Sequence, residues 1–248
     1  MSAIWTSCDG PAHIAPRHLH AWRVVEGQHK VSTRKLVDSL EEQELLERIL
    51  DQNKPPPPGP GFAHLHFLLY TPFRYPPLRH GSRFGTRAEP SLWYGSSDVD
   101  TALAERGYYR ILFLDGTTAP IEPLVVDETA FAANLDTARF VDLTAAPFSE
   151  HEAKISAPDS YGESQPLGAA MRAAGVAGFL FVSARARPRG LNVAFFTPDF
   201  ASHAPTAYEG WKCTATRAGA EFRSLAGRLL RFDRRMFEVG GRLPAPGV

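Results

Sequence analysis

Short apolar runs separated by few helical stretches constrain the fold of this 248-residue chain more than any other feature. Each run has the length of a strand and is bounded by glycine, proline or polar residues, as is typical of strands. The predicted strands are residues 22–25, 64–70, 123–127, 139–143, 179–182, 192–196 and 211–216. Strands and helices do not alternate regularly, which disfavours a doubly wound parallel sheet. The pattern therefore predicts an α+β fold with a mixed β-sheet core.

The N-terminal region differs from the rest of the chain. Residues 1–20 are rich in proline, histidine and small residues and show no period, which predicts a loose or draped arm. Apolar residues recur at helical spacing over residues 33–52, and the proline tract 55–58 ends this helix. Because so short a segment cannot hold a separate core, we predict that residues 1–60 form an arm and helical extension packed on one globular unit, residues 61–248. A partner-docking helix is the alternative.

Charge and composition exclude several classes of protein. The 27 Lys and Arg residues balance 27 Asp and Glu residues, whereas proteins that neutralise nucleic-acid phosphates usually carry a basic excess. The sequence shows neither an apolar run long enough to span a bilayer nor a signal-peptide pattern. Cys8 and Cys213 are far apart, and His64 and His66 lack a third ligand nearby, so a disulfide scaffold or a metal site is disfavoured. We expect a cytoplasmic protein with no membrane partner and no metal.

Residues 81–110 carry an arginine, a tyrosine and a glutamate at equal intervals, namely Arg83, Tyr94 and Glu105. The first half is rich in turn-forming residues, whereas Asp98 precedes an apolar run as the cap of a helix would. A loop, a short strand and a helix in succession can place a cation, a ring and a carboxylate around one cleft. Such a set suits a substrate that is anionic at one point and develops positive charge at another. On spacing alone, a solvated helix face at Glu105 is the alternative.

Further arginines flank this tract. Arg74 and Tyr75 lie between prolines shortly before Arg83, and two arginines near one turn suit a pyrophosphate group. Arg185 belongs to an arginine-rich stretch, residues 185–189, that joins two predicted strands. A solvated loop and a nucleotide-facing loop explain that stretch equally well.

Four blocks of the sequence resemble, in order, those of the RES domain, a family named for an Arg, a Glu and a Ser. The blocks are Gly81-Ser-Arg-Phe84 with Pro90, Tyr94 and Thr101-Ala-Leu-Ala-Glu105; Phe140-Val-Asp-Leu-Thr144; Gln165-Pro-Leu-Gly168; and Gly178-Phe-Leu-Phe-Val-Ser183-Ala-Arg185 with Gly190-Leu-Asn192. The resemblance runs from about residue 20 to residue 215. It departs from many relatives at Arg83-Phe-Gly-Thr, where they have R-W-N-P.

The resemblance implies a function. RES proteins are toxins of bacterial toxin–antitoxin pairs with a fold like that of ADP-ribosyltransferases, and they consume NAD by hydrolysis or phosphorolysis or transfer its ADP-ribose to a protein. This chain is therefore expected to cleave the nicotinamide–ribose bond of NAD, deplete NAD and arrest growth. The implied partners are NAD as substrate and a cognate antitoxin, with nucleic acid contacted only through the antitoxin; a homodimer is left open. An ADP-ribosyltransferase and a catalytically inactive nucleotide-binding module are the alternatives.

The residue types match this reaction. Breaking the nicotinamide–ribose bond passes through an oxocarbenium-like state, which a carboxylate can stabilise, and Glu105 is the candidate. We expect Tyr94 to pack on the nicotinamide and Ser183 to hydrogen-bond its amide or the ribose. The candidate catalytic residues are Glu105, Arg83, Tyr94 and Ser183. The candidate NAD-binding residues are Arg74, Tyr75, Arg83, Tyr94, Ser183, Arg185 and Asn192.

Two other enzyme classes are disfavoured. A serine hydrolase using Ser183 lacks the G-x-S-x-G elbow and a histidine close by in sequence. A hydride-transfer enzyme of the Rossmann type would show G-x-G-x-x-G, which this chain lacks.

Overall fold

The computed structural model of the chain describes residues 2–27, 41–42, 45, 49, 54–55, 59–62 and 64–245. The helix predicted over residues 33–52 and the proline tract 55–58 fall largely outside the described residues. The division of the chain at residue 60 stays a prediction.

The described residues form one eight-stranded sheet. Its strands are β1 (Ala15–Glu26), β2 (Trp93–Ser96), β3 (Leu124–Asp142), β4 (Gly178–Val182), β5 (Leu191–Phe195), β6 (Ala207–Thr216), β7 (Gly219–Ser224) and β8 (Leu229–Asp233). Their order in the sheet is β1-β2-β5-β4-β3-β6-β7-β8, with an additional pairing of β1 with β3. β3 and β4 are parallel, whereas the other paired strands are antiparallel. The prediction of an α+β fold with a mixed sheet is confirmed.

The long strand β3 organises the sheet. It pairs with β1 from Glu128 to Phe140, with β6 from Leu124 to Ala132, and with β4 at its last residues. Residues 130–133 are completely buried because strands flank them on both sides. β1 also pairs with β2 at Trp22 and Ser96, so β1, β2, β5, β4 and β3 close a ring of pairings. This ring brings β1 beside the tract that carries Tyr94.

Five α-helices are described: α1 (Ala3–Ser7), α2 (Phe67–Arg74), α3 (Val99–Asp115), α4 (Glu152–Ile155) and α5 (Ser164–Ala173). Helix α3 begins where the sequence predicts, since Oδ1 of Asp98 accepts a 2.7 Å hydrogen bond from the amide of Thr101. Its apolar face, which includes Leu103 and Ile111, packs on β6 and β7. No described helix is both long and apolar enough to cross a membrane.

Helix α5 ends as predicted. Gly175 follows it with a φ of +72°, a conformation that costs glycine least. The Arg139 guanidinium donates to the carbonyls of Ala174 and Gly175, which satisfies groups that the helix leaves unpaired.

Of the loose or draped arm predicted over residues 1–20, the loose alternative is wrong, because the residues described there pack on the rest of the chain. α1 buries Ile4 and Trp5, and the Trp5 ring stacks on Phe148 at 6.0 Å between centroids. β1 begins at Ala15 and pairs with β3 over most of its length. The apolar residues of α1 are too few to show a period, and the partner that orders β1 lies more than 100 positions away.

The strand predicted at residues 64–70 is also wrong, because these residues lead into helix α2. Nδ1 of His66 accepts a hydrogen bond of 3.3 Å from the amide of Leu68 and so caps the helix. Leu68 and Leu69 are buried on its inner face. A short apolar run fits a strand and a buried helix equally well, so its period alone could not decide.

The chain after Phe222 is more regular than its basic composition indicates. β7 and β8 form an antiparallel hairpin in which Glu221 lies opposite Arg231, and their side chains form an ion pair at 2.8 Å. The strands escape detection because arginines occupy the solvent-facing positions of an edge hairpin.

Candidate active site

A cleft of about 440 Å³ lies between helix α3, strands β1 and β2, and the loop before β2. Five of the residues predicted for the site line it: Arg83, Tyr94, Glu105, Arg185 and Asn192. They come from five elements, namely the loop before β2, β2, α3, the loop after β4, and β5, and the closed ring of strands brings them together. Ser183 lies directly behind the wall, in contact with Glu105.

Glu105 is held at the cleft by two hydrogen bonds to one oxygen. Oγ of Ser183 and Nδ2 of Asn192 each donate to Oε1 at 2.6 Å. Ser96, which lies opposite Asn192 in the β2–β5 pair, donates to Oδ1 of Asn192 at 2.7 Å and fixes the orientation of the amide. Among the described residues Oε2 of Glu105 has no hydrogen-bond partner. One carboxylate oxygen is therefore fixed by the protein, and the other is available to a ligand.

The Ser183 hydroxyl is fully engaged within the protein. Its Oγ accepts hydrogen bonds from the amides of Arg185 at 3.0 Å and Ala186 at 2.9 Å, and donates to Glu105. A hydroxyl has one proton and two lone pairs, so these three bonds use its whole capacity. The expected direct bond from Ser183 to the nicotinamide amide or ribose has no donor or acceptor left to make it. In this geometry Ser183 is a positioning residue for Glu105.

Tyr94 shapes the loop that carries Arg83. Its hydroxyl is 2.9 Å from Oγ of Ser82 and accepts from the amide of Phe84 at 3.2 Å. Loss of solvation raises the pKa of Tyr94 to about 12, although the contacts with Ser82, Phe84 and Arg83 lower it. The phenol is therefore neutral at physiological pH, and its ring forms part of the cleft wall.

Arg83 joins the two sides of the cleft. Its Nη1 donates to the carbonyls of Ala157 at 2.7 Å and Ile155 at 3.3 Å, and the guanidinium lies 5.2 Å from the centre of the Tyr161 ring. Nε and Nη2 have no hydrogen-bond partner within the described part of the chain. Arg83 thus has a structural role and retains donors for an anion.

Arg185 contributes a buried donor to the cleft. The residue is 3% exposed, and its guanidinium stacks 3.7 Å from the centre of the Tyr108 ring. Nη2 donates to the carbonyl of Pro158 at 2.7 Å, whereas Nη1 is buried without a partner among the described residues. An unpaired buried N–H is costly, so a ligand or a water molecule is expected there. Arg189, on the same loop, is instead half-exposed and pairs with Glu152 at 2.5 Å.

Arg74 and Tyr75 are not brought to this cleft. Nε of Arg74 donates to the carbonyl of Pro55. Tyr75 lines a neighbouring pocket of about 270 Å³ with residues of α2. Their short distance from Arg83 in sequence does not place them beside it, because α2 ends at Arg74 and the chain turns before reaching Arg83.

Two arginines of the cleft were missed by the sequence analysis. Nη1 of Arg23 donates to the carbonyl of Tyr94 at 2.5 Å, and Arg106 follows Glu105 on α3. Loss of solvation and then the charge of Arg106 lower the pKa of Arg23 to about 10. Only the pairing of β1 with β2 places Arg23 here, and no local signal in the sequence predicts that pairing.

The site therefore combines a fixed carboxylate, several guanidinium groups and tyrosine rings in one cleft. The described residues contain no group of three or more His, Cys, Asp or Glu side chains arranged to hold a metal ion. Such a cleft can bind a polyanionic ligand and stabilise positive charge near Glu105.

A match to a family model agrees with the family suggested by the sequence. The chain is similar to a chain in the crystal structure of the M. tuberculosis MbcT–MbcA toxin–antitoxin complex, with 14% identity, a TM-score of 0.47, and coverage of 87% of this chain and 93% of that chain. A comparison with curated proteins found no match. The RES domain model matches residues 61–215, more than half of the sequence, and this range includes Arg83, Glu105 and Ser183. The protein therefore belongs to the RES domain family.

Proposed function

We propose that this protein is an NAD-consuming enzyme that cleaves the nicotinamide–ribose bond and acts as the toxin of a toxin–antitoxin pair. The observation that carries the proposal is the hydrogen bonding of the Glu105 carboxylate. One of its oxygens is fixed by Ser183 and Asn192, and the other has no partner among the described residues, in a cleft rich in arginine. Membership of the RES domain family supports the same reaction.

The chemistry follows from charge. As nicotinamide leaves, positive charge develops on the ribose ring, and a carboxylate held beside that ring lowers the energy of the transition state. The two hydrogen bonds to Oε1 keep Glu105 in place, so little reorganisation is needed during the reaction. Nicotinamide departs as a neutral molecule, and an acceptor then attacks the same ribose carbon.

The phosphates and rings of NAD find matching groups in the cleft. Arg83 and Arg185 have guanidinium N–H groups without partners among the described residues, and these suit a diphosphate. Tyr94 and Tyr161 offer rings against which nicotinamide or adenine can pack. Arg74 and Tyr75, which lie outside the cleft lining, would reach the substrate only if the chain moved.

The group that attacks the ribose carbon decides which of three reactions takes place. Water gives hydrolysis, phosphate gives phosphorolysis, and a protein side chain gives ADP-ribosylation, in line with the resemblance of RES proteins to the ADP-ribosyltransferase fold. We further propose that the protein acts on the cytoplasmic NAD pool and is inhibited by a cognate antitoxin protein. Without cleavage, the same cleft would serve a nucleotide-binding module.

Nicotinamide release by the purified protein separates these possibilities. The protein is incubated with NAD, and nicotinamide is quantified by chromatography with and without added phosphate. Release at the same rate in both buffers indicates hydrolysis, and release that depends on phosphate indicates phosphorolysis. Release that requires an added protein acceptor indicates transfer. Tight NAD binding without release under all these conditions refutes the enzyme and favours the binding module.

A further inference from the structure

A buried carboxylate on β3 anchors two arginines of helix α3. The side chain of Glu128 has no exposed surface. Its Oε1 accepts from Nε of Arg106 at 2.9 Å, and from Nε of Arg110 at 2.9 Å and Nη2 of Arg110 at 2.6 Å. Both guanidinium groups also approach the exposed Glu26, with Nη2 of Arg106 at 3.7 Å and Nη2 of Arg110 at 3.0 Å. Arg106 and Arg110 are four positions apart and therefore lie on the same face of the helix.

The two arginines differ in their position relative to the cleft. Arg106 lines the cleft that contains Glu105, whereas Arg110 is not part of its wall. The Glu128 and Glu26 carboxylates raise the pKa of Arg110 above its ordinary value, although loss of solvation by itself lowers it. The Arg110 guanidinium is thus paired with these two carboxylates. Arg106 uses Nε for Glu128, its Nη2 approaches Glu26, and its side chain lines the cleft.

Arg23 adds a positive charge near Arg106. It lines the same cleft, and within the described residues no carboxylate pairs with it. Among the residues that the structure describes, this cluster holds three arginines and two glutamates, and Glu26 is largely exposed to solvent. Arg23 and Arg106 repel each other and both line the cleft, so an anion bound there would relieve the repulsion.

We propose that Arg106 is a phosphate-binding residue of the cleft and that Glu128 is the positioning residue that fixes its guanidinium beside Arg23. The ligand is a diphosphate ester, which presents several anionic oxygens to planar guanidinium groups. This inference rests on the proposed function, in which the diphosphate belongs to NAD. It adds a subsite on the α3–β1 side of the cleft to the donors that Arg83 and Arg185 provide.

Two matched variants test the subsite. Arg106→Gln and Arg110→Gln each remove one positive charge and one partner of Glu128 from the same face of α3. The dissociation constants of ADP-ribose and inorganic pyrophosphate are measured by calorimetry for both variants and the wild type. Arg106→Gln is expected to weaken both ligands by at least about tenfold, the scale of a hydrogen bond to a charged group. Arg110→Gln is expected to change them by no more than about twofold.

A double-mutant cycle tests the role of Glu128. Glu128→Gln should weaken ADP-ribose binding in the wild type but have little further effect when Arg106 is already Gln, because it acts through Arg106. A purely structural role of Glu128 would give the same loss in both backgrounds and would overturn its assignment. Where Arg106→Gln does not fold, Arg106→Met replaces it under the same criteria, since methionine keeps the length of the side chain and removes the charge.

The outcomes separate this inference from the proposed function. Equal weakening by Arg106→Gln and Arg110→Gln, unchanged binding in Arg106→Gln, or a wild type that binds neither anion overturns the subsite. Binding that depends on Arg106, in a protein that releases no nicotinamide, upholds the subsite and refutes the NAD reaction. If nicotinamide is released but ADP-ribose binding does not depend on Arg106, the subsite is overturned and the NAD reaction is upheld.

Discussion

Ser183 donates a 2.6 Å hydrogen bond to Oε1 of Glu105, a residue 78 positions earlier in the chain. The bond connects the end of β4 with helix α3 across the ring of strands. Two backbone amides occupy the remaining capacity of the hydroxyl. A serine in this state is a poor nucleophile and a good support for a neighbouring carboxylate.

Replacing Ser183 with alanine is therefore predicted to reduce, and not abolish, NAD turnover. Loss of one hydrogen bond to a charged carboxylate corresponds to about 1.5 to 3 kcal/mol, or roughly a 13- to 160-fold decrease in kcat. Ser156→Ala is the matched control, because Oγ of Ser156 donates to the carbonyl of Val182 and does not contact Glu105. Mass spectrometry of the wild type mixed with NAD should show no adduct on Ser183. A stable ADP-ribosyl adduct there, lost in the alanine variant, would establish a nucleophile instead.

Arg83→Ala is predicted to weaken NAD binding by about 1.5 to 3 kcal/mol, the scale of a hydrogen bond to a charged group. Calorimetry on the variant measures the change. Arg172→Ala serves as the control, because Arg172 holds the same loop at the carbonyl of Pro90 but is not part of the cleft wall. An unchanged dissociation constant in Arg83→Ala would mean that Arg83 does not bind NAD and has only a structural role, through its contacts with Ala157 and Tyr161.

Gly168 allows helix α5 to approach the backbone beside Arg83. A Cβ at this position would lie 2.0 Å from the carbonyl oxygen of Phe84. Gly168→Ala is therefore predicted to lower the free energy of unfolding by about 1 to 3 kcal/mol. Gly116→Ala is the control, since Gly116 has a φ of −83° and no atom within 3.6 Å of a Cβ. Equal stability of the two variants in urea unfolding would contradict the close packing.

The ion pair between Asp115 and Arg234 predicts a loss of stability in acid. Hydrogen bonds from Arg234 hold the pKa of Asp115 below its ordinary value of 3.8. A carboxyl group with a lowered pKa contributes stability above its unfolded pKa, and loses that contribution as the pH falls through its folded pKa. Asp115→Asn should thus be less stable than the wild type at pH 7, and the difference should shrink as the pH falls below about 4. A difference independent of pH would contradict the ion pair.

Local signals in the sequence predicted part of this structure. The cap at Asp98, the glycine after α5 and the strands on either side of the arginine-rich loop follow from short-range chemistry. The block pattern marks Glu105 and Ser183 as site candidates without reference to their contact. These features can be predicted without knowing which strands pair.

The remaining features depend on contacts between distant parts of the chain. Arg23 reaches the cleft only because β1 pairs with β2 and β3, and Arg106 is fixed only because Glu128 lies beneath it on β3. Sequence distance alone predicts Arg74 near Arg83, but Arg74 ends helix α2 and its Nε donates to the carbonyl of Pro55. Pairing between distant strands leaves no local trace, so neither the missed residues nor the misplaced one could be recognised from the sequence.

Glu105→Gln tests the central claim most directly. The substitution is nearly isosteric and removes the negative charge that the developing oxocarbenium ion requires. The measurement is nicotinamide release from NAD by the purified variant, with calorimetric binding of ADP-ribose and thermal unfolding to verify that the cleft and fold persist. The account predicts that the variant folds and binds ADP-ribose but releases no nicotinamide above background. Release at the wild-type rate would contradict it.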